Sequence, residues 1–262
     1  MGMTMDTSTA RPIVTDPGMT DSGGSAATDD GVDDLLTLQV WLSPAFPVGG
    51  FSYSHGLEWA IEAGAVTTAA GLAAWLGDVL VHGAGRNDAI LLAAAHRATV
   101  ADDVERLAEV VELAAASQPS RERRLEATAQ GAAFVRAIAD TWQTPRFAEL
   151  LDRLAARMAP ATPTWTHAVA VGTAAGAHGL ALDRVLPAFL QGFAASVISA
   201  GVRAVPLGQS DGLRVLRSLG PTLRAVAAAG AGGDLDLLGG AAVLADIASM
   251  RHETQYTRLF RS

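Results

Sequence analysis

The chain has 262 residues, half of them apolar and 18% charged, with 19 basic and 27 acidic side chains for a formal net charge of −8. Every basic residue is an arginine; there is no Lys and no Cys. These absences exclude NTP hydrolysis by a P-loop lysine, Schiff-base and pyridoxal phosphate chemistry, thiol nucleophiles, thiolate zinc sites and disulfide frameworks, and the negative charge argues against a general nucleic-acid binder.

Residues 1–34 are rich in Thr, Ser, Gly and Asp, without an aromatic residue or sustained periodicity, and are expected to form a disordered acidic tail ahead of one domain over 35–262. Seven Asp against Arg11 give that tail a charge of −6, leaving 20 acidic and 18 basic residues, or −2, for the remainder. The tail lacks the basic start and apolar run of a signal peptide.

From Leu35 onward the spacing predicts helices. Leu72, Trp75, Leu76, Val79 and Leu80 form one amphipathic stripe, and Phe147, Leu150, Leu151, Leu154 and Met158 another. Further helices are predicted at 54–64, 88–99, 102–116, 121–140, 164–180, 187–203, 211–229 and 235–250; in 121–140 the core-facing stripe is Leu125, Ala129, Ala132, Val135 and Ala139. Pro119-Ser120, Pro145, Pro163 and Pro206 punctuate the series. The fold class is all-α, a single-domain bundle of about ten helices. Uncharged stretches between Arg157 and Asp183 and from Val185 to Val202 are long enough for a membrane hairpin. Their Ala, Gly, Thr and His content, Gln191 and a break at Pro187 favour a buried helix pair, with no membrane partner, and Gly172 and Gly176 would let a neighbouring helix approach closely.

The six histidines, His55, His82, His96, His167, His178 and His252, show no metal-binding spacing, so each is expected to be a buried, hydrogen-bonded residue and no metal site or cofactor is assigned. Asp102-Asp103 and Asp234/Asp236 suit helix starts. Arg121-Glu122-Arg123-Arg124 reads as a solvated helix face. No nucleophile elbow or dinucleotide fingerprint exists, and no catalytic residue is assigned. An alternative from another class is an enzyme with a site built across a dimer from His55, Glu58, His167 and His178.

Two segments exceed what helix building requires. Ser43 to Glu58 packs prolines, paired glycines and two aromatics into a loop that leads into a helix, suggesting a rigid connection with close backbone approach. Met250 to Ser262 carries Arg, Tyr, Leu and Phe where chain ends usually fray, a composition suited to docking. At these segments, and at Pro206-Leu207-Gly208-Gln209, the sequence resembles the UreF family of urease accessory proteins over about residues 35–262.

The resemblance implies an all-helical, non-catalytic, cytoplasmic scaffold that dimerises and joins UreD (also called UreH) and the GTPase UreG in delivering nickel to the urease apoprotein. It implies that the partner-binding residues are Phe51, Tyr53, His55 and Glu58 in the loop, with Arg251, His252, Glu253, Tyr256, Arg258, Leu259 and Phe260 in the C-terminal segment. Arg258 would help form the surface that recruits UreG, supported by Phe51 or Tyr53. The acidic tail and the Gly230 to Gly233 loop depart from the family pattern.

Overall fold

The computed structural model describes residues 26–262, and among these the chain is all-helical. Twelve α-helices follow one another: α1 Ala26–Trp41, α2 Leu57–Glu62, α3 Ala69–His82, α4 Ala84–Val100, α5 Val104–Ala116, α6 Arg121–Thr141, α7 Pro145–Met158, α8 His167–Ala177, α9 Leu182–Ala204, α10 Gln209–Ser218, α11 Gly220–Gly230 and α12 Val243–His252. Single 3-10 turns lie at Gly50–Ser52 and Leu235–Leu237.

Helix starts follow the local chemistry of capping. Thr68, Asp103, Ser120 and Thr144 each accept the amide of the residue three positions on, at 2.9–3.2 Å, and Pro145 occupies the first turn of α7. The Asp234 carboxylate caps the second 3-10 turn in the same way, by accepting the amide of Asp236.

Packing centres on α8, which is buried along nearly its whole length against α4 and α6. The close approach expected at Gly172 and Gly176 occurs here. A methyl group on Gly176 would lie 2.8 Å from the His96 carbonyl oxygen, and one on Gly172 would lie closer still to that of Leu92. The two backbones are therefore in direct contact. The amphipathic helices α3 and α7 bury the predicted stripes through Leu72, Leu76, Val79 and Leu80, and through Phe147, Leu150 and Leu154.

Four sequence expectations are corrected. First, α1 begins at Ala26, inside the segment expected to lack structure. Asp34 anchors it by accepting from Arg184 at 2.8 Å and from the Ala181 amide at 3.4 Å, contacts across about 150 residues that local composition does not reveal. Residues 1–25, which hold the rest of that expected tail, lie outside the described residues. Second, the helix predicted over 211–229 is two helices, divided at Leu219-Gly220 because Pro221 has no amide hydrogen to bond the Arg217 carbonyl and instead sits in the first turn of α11. Third, Pro187 does not break its helix: it stands in the second turn of α9, where the one carbonyl it leaves unpaired belongs to the exposed Asp183.

The fourth correction concerns α6. Its buried residues are Glu122, Arg123, Glu126, Gly131, Phe134 and Ile138, whereas Leu125 of the predicted stripe is 53% exposed. Of the run read as a solvated face, Glu122 and Arg123 are thus turned inward, while Arg121 and Arg124 remain exposed. Buried charge is tolerable only where it is paired and hydrogen-bonded.

One described helix, α9, is long and apolar enough to cross a membrane, with a mean hydropathy of 1.7; half of that stretch is buried within the bundle.

Candidate functional site

The loop after α1 is shaped by backbone conformation. Gly49 and Gly56 have φ of 72° and 77°, in the left-handed region that favours glycine. At Gly56 a Cβ would also fall 2.8 Å from the Ser249 amide nitrogen, so the loop lies against α12 at van der Waals distance. The expected close backbone approach is therefore present. Directly after it, α2 carries Glu58 into the interior.

Glu58, Glu122 and Glu126 form a row of buried carboxylates that clasps the C-terminal segment. Glu58 accepts the amides of Leu259 at 2.6 Å and Phe260 at 3.0 Å. Glu122 accepts from the Arg258 guanidinium at 2.9 Å. Glu126 accepts the Ser262 hydroxyl at 2.6 Å and pairs with Arg123 on its own helix. Two main-chain bonds complete the seat: the Ser54 amide donates to the Ser262 main-chain oxygen at 2.6 Å, and the Arg261 amide to that of Ser52 at 2.8 Å.

His252, fully buried at the end of α12, joins Glu58 and Glu122. Its Nδ1 lies 2.6 Å from Glu122 and its Nε2 2.9 Å from Glu58. Each contact needs a proton between nitrogen and oxygen, so either the ring donates on both sides or one carboxyl carries the second proton. Charge-assisted hydrogen bonds of this kind are about twice as strong as neutral ones. They tie the end of α12 to α2 and to α6.

The electrostatics of Glu126 follow from its neighbours. Burial alone would raise its carboxyl, but the Arg123 guanidinium, His55 and the Ser262 hydroxyl together hold it well below the usual carboxylate range. His55 stands 3.7 Å from Glu126 and is pushed down to about 4, mainly by burial and further by Arg123. It is neutral at physiological pH.

The outer side of the clasped segment is open to solvent. Tyr256 is fully exposed, Leu259 is 70% exposed and the Arg258 side chain 41%. Phe51, 71% exposed, is joined to the segment through Arg203, which donates to the Phe51 carbonyl at 2.8 Å while its guanidinium lies 4.5 Å over the ring of buried Phe260. Tyr53 is buried. Arg258 donates to Glu122 and, among the described residues, hydrogen-bonds neither aromatic. Glu253 turns back to accept the Arg121 amide at the start of α6, at 3.0 Å, and Arg251 is exposed on α12.

Of the predicted site residues, the structure thus gathers Glu58, His252, Arg258, Leu259 and Phe260 on one carboxylate row, with His55 and Phe51 at its margin. Sequence reasoning missed Glu122, Arg123, Glu126, Arg203 and Ser54. The available signal was the spacing of Glu122 and Glu126, one helical turn apart and about a quarter-turn round the helix from the chosen stripe. The four residues of the dimer-site alternative have separate partners: His55 lies beside Glu126, Glu58 binds His252, His178 bonds the Trp142 and Ala174 carbonyls, and His167 packs on Phe134 and Phe189. Three histidines depart from the buried, hydrogen-bonded expectation: His82 is exposed, and His55 Nδ1 and His167 Nε2 are buried without a hydrogen bond among the described residues. Among those residues, no three His, Asp or Glu side chains gather as cation ligands.

Fold and site together define a helical-bundle protein that displays a C-terminal segment seated on buried carboxylates. Similarity to known proteins makes the assignment more particular. The family model UreF matches residues 66–220. The chain is 49% identical over 228 residues to the urease accessory protein UreF of Bradyrhizobium sp. (strain BTAi1 / ATCC BAA-1182), covering 87% of this chain and 92% of that protein. It is 49% identical over 229 residues to the UreF of Methylorubrum populi (87% and 99%) and 48% identical over 241 residues to that of Rhodopseudomonas palustris strain HaA2 (92% and 98%). The chain belongs to the UreF family of urease accessory proteins.

Proposed function

We propose that the chain is a non-catalytic scaffold of urease maturation that joins UreD (UreH) and the GTPase UreG, and so serves nickel delivery to the urease apoprotein. It acts in the cytoplasm as a homodimer. The observation that carries this reading is the combination of a rigidly seated backbone with an exposed outer row of Tyr256, Arg258 and Leu259. Interfaces draw their energy from aromatic and Arg anchors that need little further ordering. Glu122 fixes the Arg258 head, and Arg203 fixes the Phe51 loop to the same segment.

Chemistry in such an assembly belongs to the partner. A chain without Lys offers no P-loop lysine to a nucleotide, which suits a protein that organises a GTPase rather than acting as one. A pull-down of UreG by the scaffold–UreD complex tests the placement. Arg258→Ala should abolish UreG capture while circular dichroism shows an unchanged helical fold; capture at the wild-type level would show that UreG docks elsewhere.

A further inference from the structure

Beneath the Ser43 to Phe51 loop lies a cavity of about 190 Å3, larger than the roughly 150 Å3 void that admits a benzene-sized guest. Exposed Pro44 and Phe51 stand at its rim, so it opens on the loop. Trp41, Phe189 and Phe193 supply aromatic wall, and the lining is predominantly apolar. Its polar side is distinctive. Asp88 from α4 lines the cavity and makes no hydrogen bond or ion pair among the described residues. His167 Nε2 is buried and equally unpartnered. Arg123, the one basic side chain in the lining, is paired with Glu126. The local balance is one surplus negative charge at Asp88, in a lining that also holds two unpartnered ring nitrogens, His167 Nε2 and the donor Trp41 Nε1.

We infer that this cavity is a binding site for a small organic cation, a protonated amine or guanidinium with an apolar body of a few carbons, held by the Asp88 carboxylate and the aromatic wall. An anion would meet two carboxylates and an arginine already engaged. A neutral apolar guest would leave Asp88 unpaired. A cation satisfies Asp88 directly, lets His167 Nε2 accept a hydrogen bond, and gains attraction from the electron-rich ring faces. Burial pushes Asp88 up to about 6, so it is mostly ionised at neutral pH, and an opposite charge would relieve its desolvation.

The test is calorimetric titration of the full chain at neutral pH with n-butylammonium and n-butylguanidinium, against 1-pentanol and pentanoate as neutral and anionic counterparts. The cations should bind at least about tenfold more tightly than the alcohol, a preference of roughly 1.4 kcal/mol, and should shift the Trp41 indole N–H resonance. Asp88→Asn should erase that preference while leaving pentanol binding intact. Equal affinity for cation and alcohol would overturn the proposal by making the cavity a plain apolar void. Absence of cation binding, or a preference that survives in Asp88→Asn, would overturn it as well. The comparison between ligands in the unmodified protein decides the matter even if the variant folds poorly.

Discussion

Replacing Glu58 by Gln preserves the shape of the side chain but removes one of its acceptor oxygens, and the structure indicates how much that removes. One Glu58 oxygen accepts the Leu259 amide, and the other accepts the Phe260 amide and the His252 ring. Whichever way the new amide is turned, its NH2 faces at least one buried donor. At least one charge-assisted bond is lost, worth about 1.5–3 kcal/mol, and a buried N–H is left unpaired. A combined effect of about 3 kcal/mol corresponds to a roughly 100-fold increase in local opening of the C-terminal segment. Amide hydrogen exchange read by mass spectrometry should show Leu259 and Phe260 exchanging about that much faster, with α8 protected as before. Exchange at the wild-type rate would refute the claim that Glu58 seats this segment.

Gly172→Ala should destabilise the protein by about 3 kcal/mol in thermal or denaturant unfolding, because the new methyl meets the Leu92 backbone, which cannot rotate aside; an unchanged midpoint would show that α4 and α8 can separate freely. Stability should fall on acidification from pH 7 to 5. His55 and His167 are both lowered from 6.5 to about 4, chiefly by burial, so the unfolded chain binds protons in that window that the fold does not, removing about 2 kcal/mol per histidine at pH 5. Asp88, raised from 3.8 to about 6, takes up its proton in the fold and returns about 1.4 kcal/mol, leaving a net loss of about 2.5 kcal/mol. Urea unfolding at the two pH values measures the difference, and a chain more stable at pH 5 would contradict it.

The parts of the fold that sequence made legible are those with local causes. Ser120 caps α6 within three residues of itself, Pro145 opens α7, and the stripes of α3 and α7 report one buried face each. Helix α1 escaped notice because Asp34 finds Arg184 only in the folded state. The face of α6 was misjudged for a related reason: charged residues signal solvent unless their partners are known, and beyond the local Arg123 pair Glu122 and Glu126 bond to His252, Arg258 and Ser262, at least 130 residues away. The candidate site was half legible. Odd composition marked the loop, with Glu58, and the C-terminal segment, but Glu122 and Glu126, which complete the carboxylate row, lay hidden in a helix that looked like surface.

The central claim is that the chain works by assembling partners. Size-exclusion chromatography with light scattering, on the chain alone and mixed with UreD and UreG, tests it most directly. The expected result is a dimer alone, a larger complex with UreD, and a further mass step on adding UreG that Arg258→Ala eliminates. A chain that elutes unchanged in the presence of both partners would contradict it.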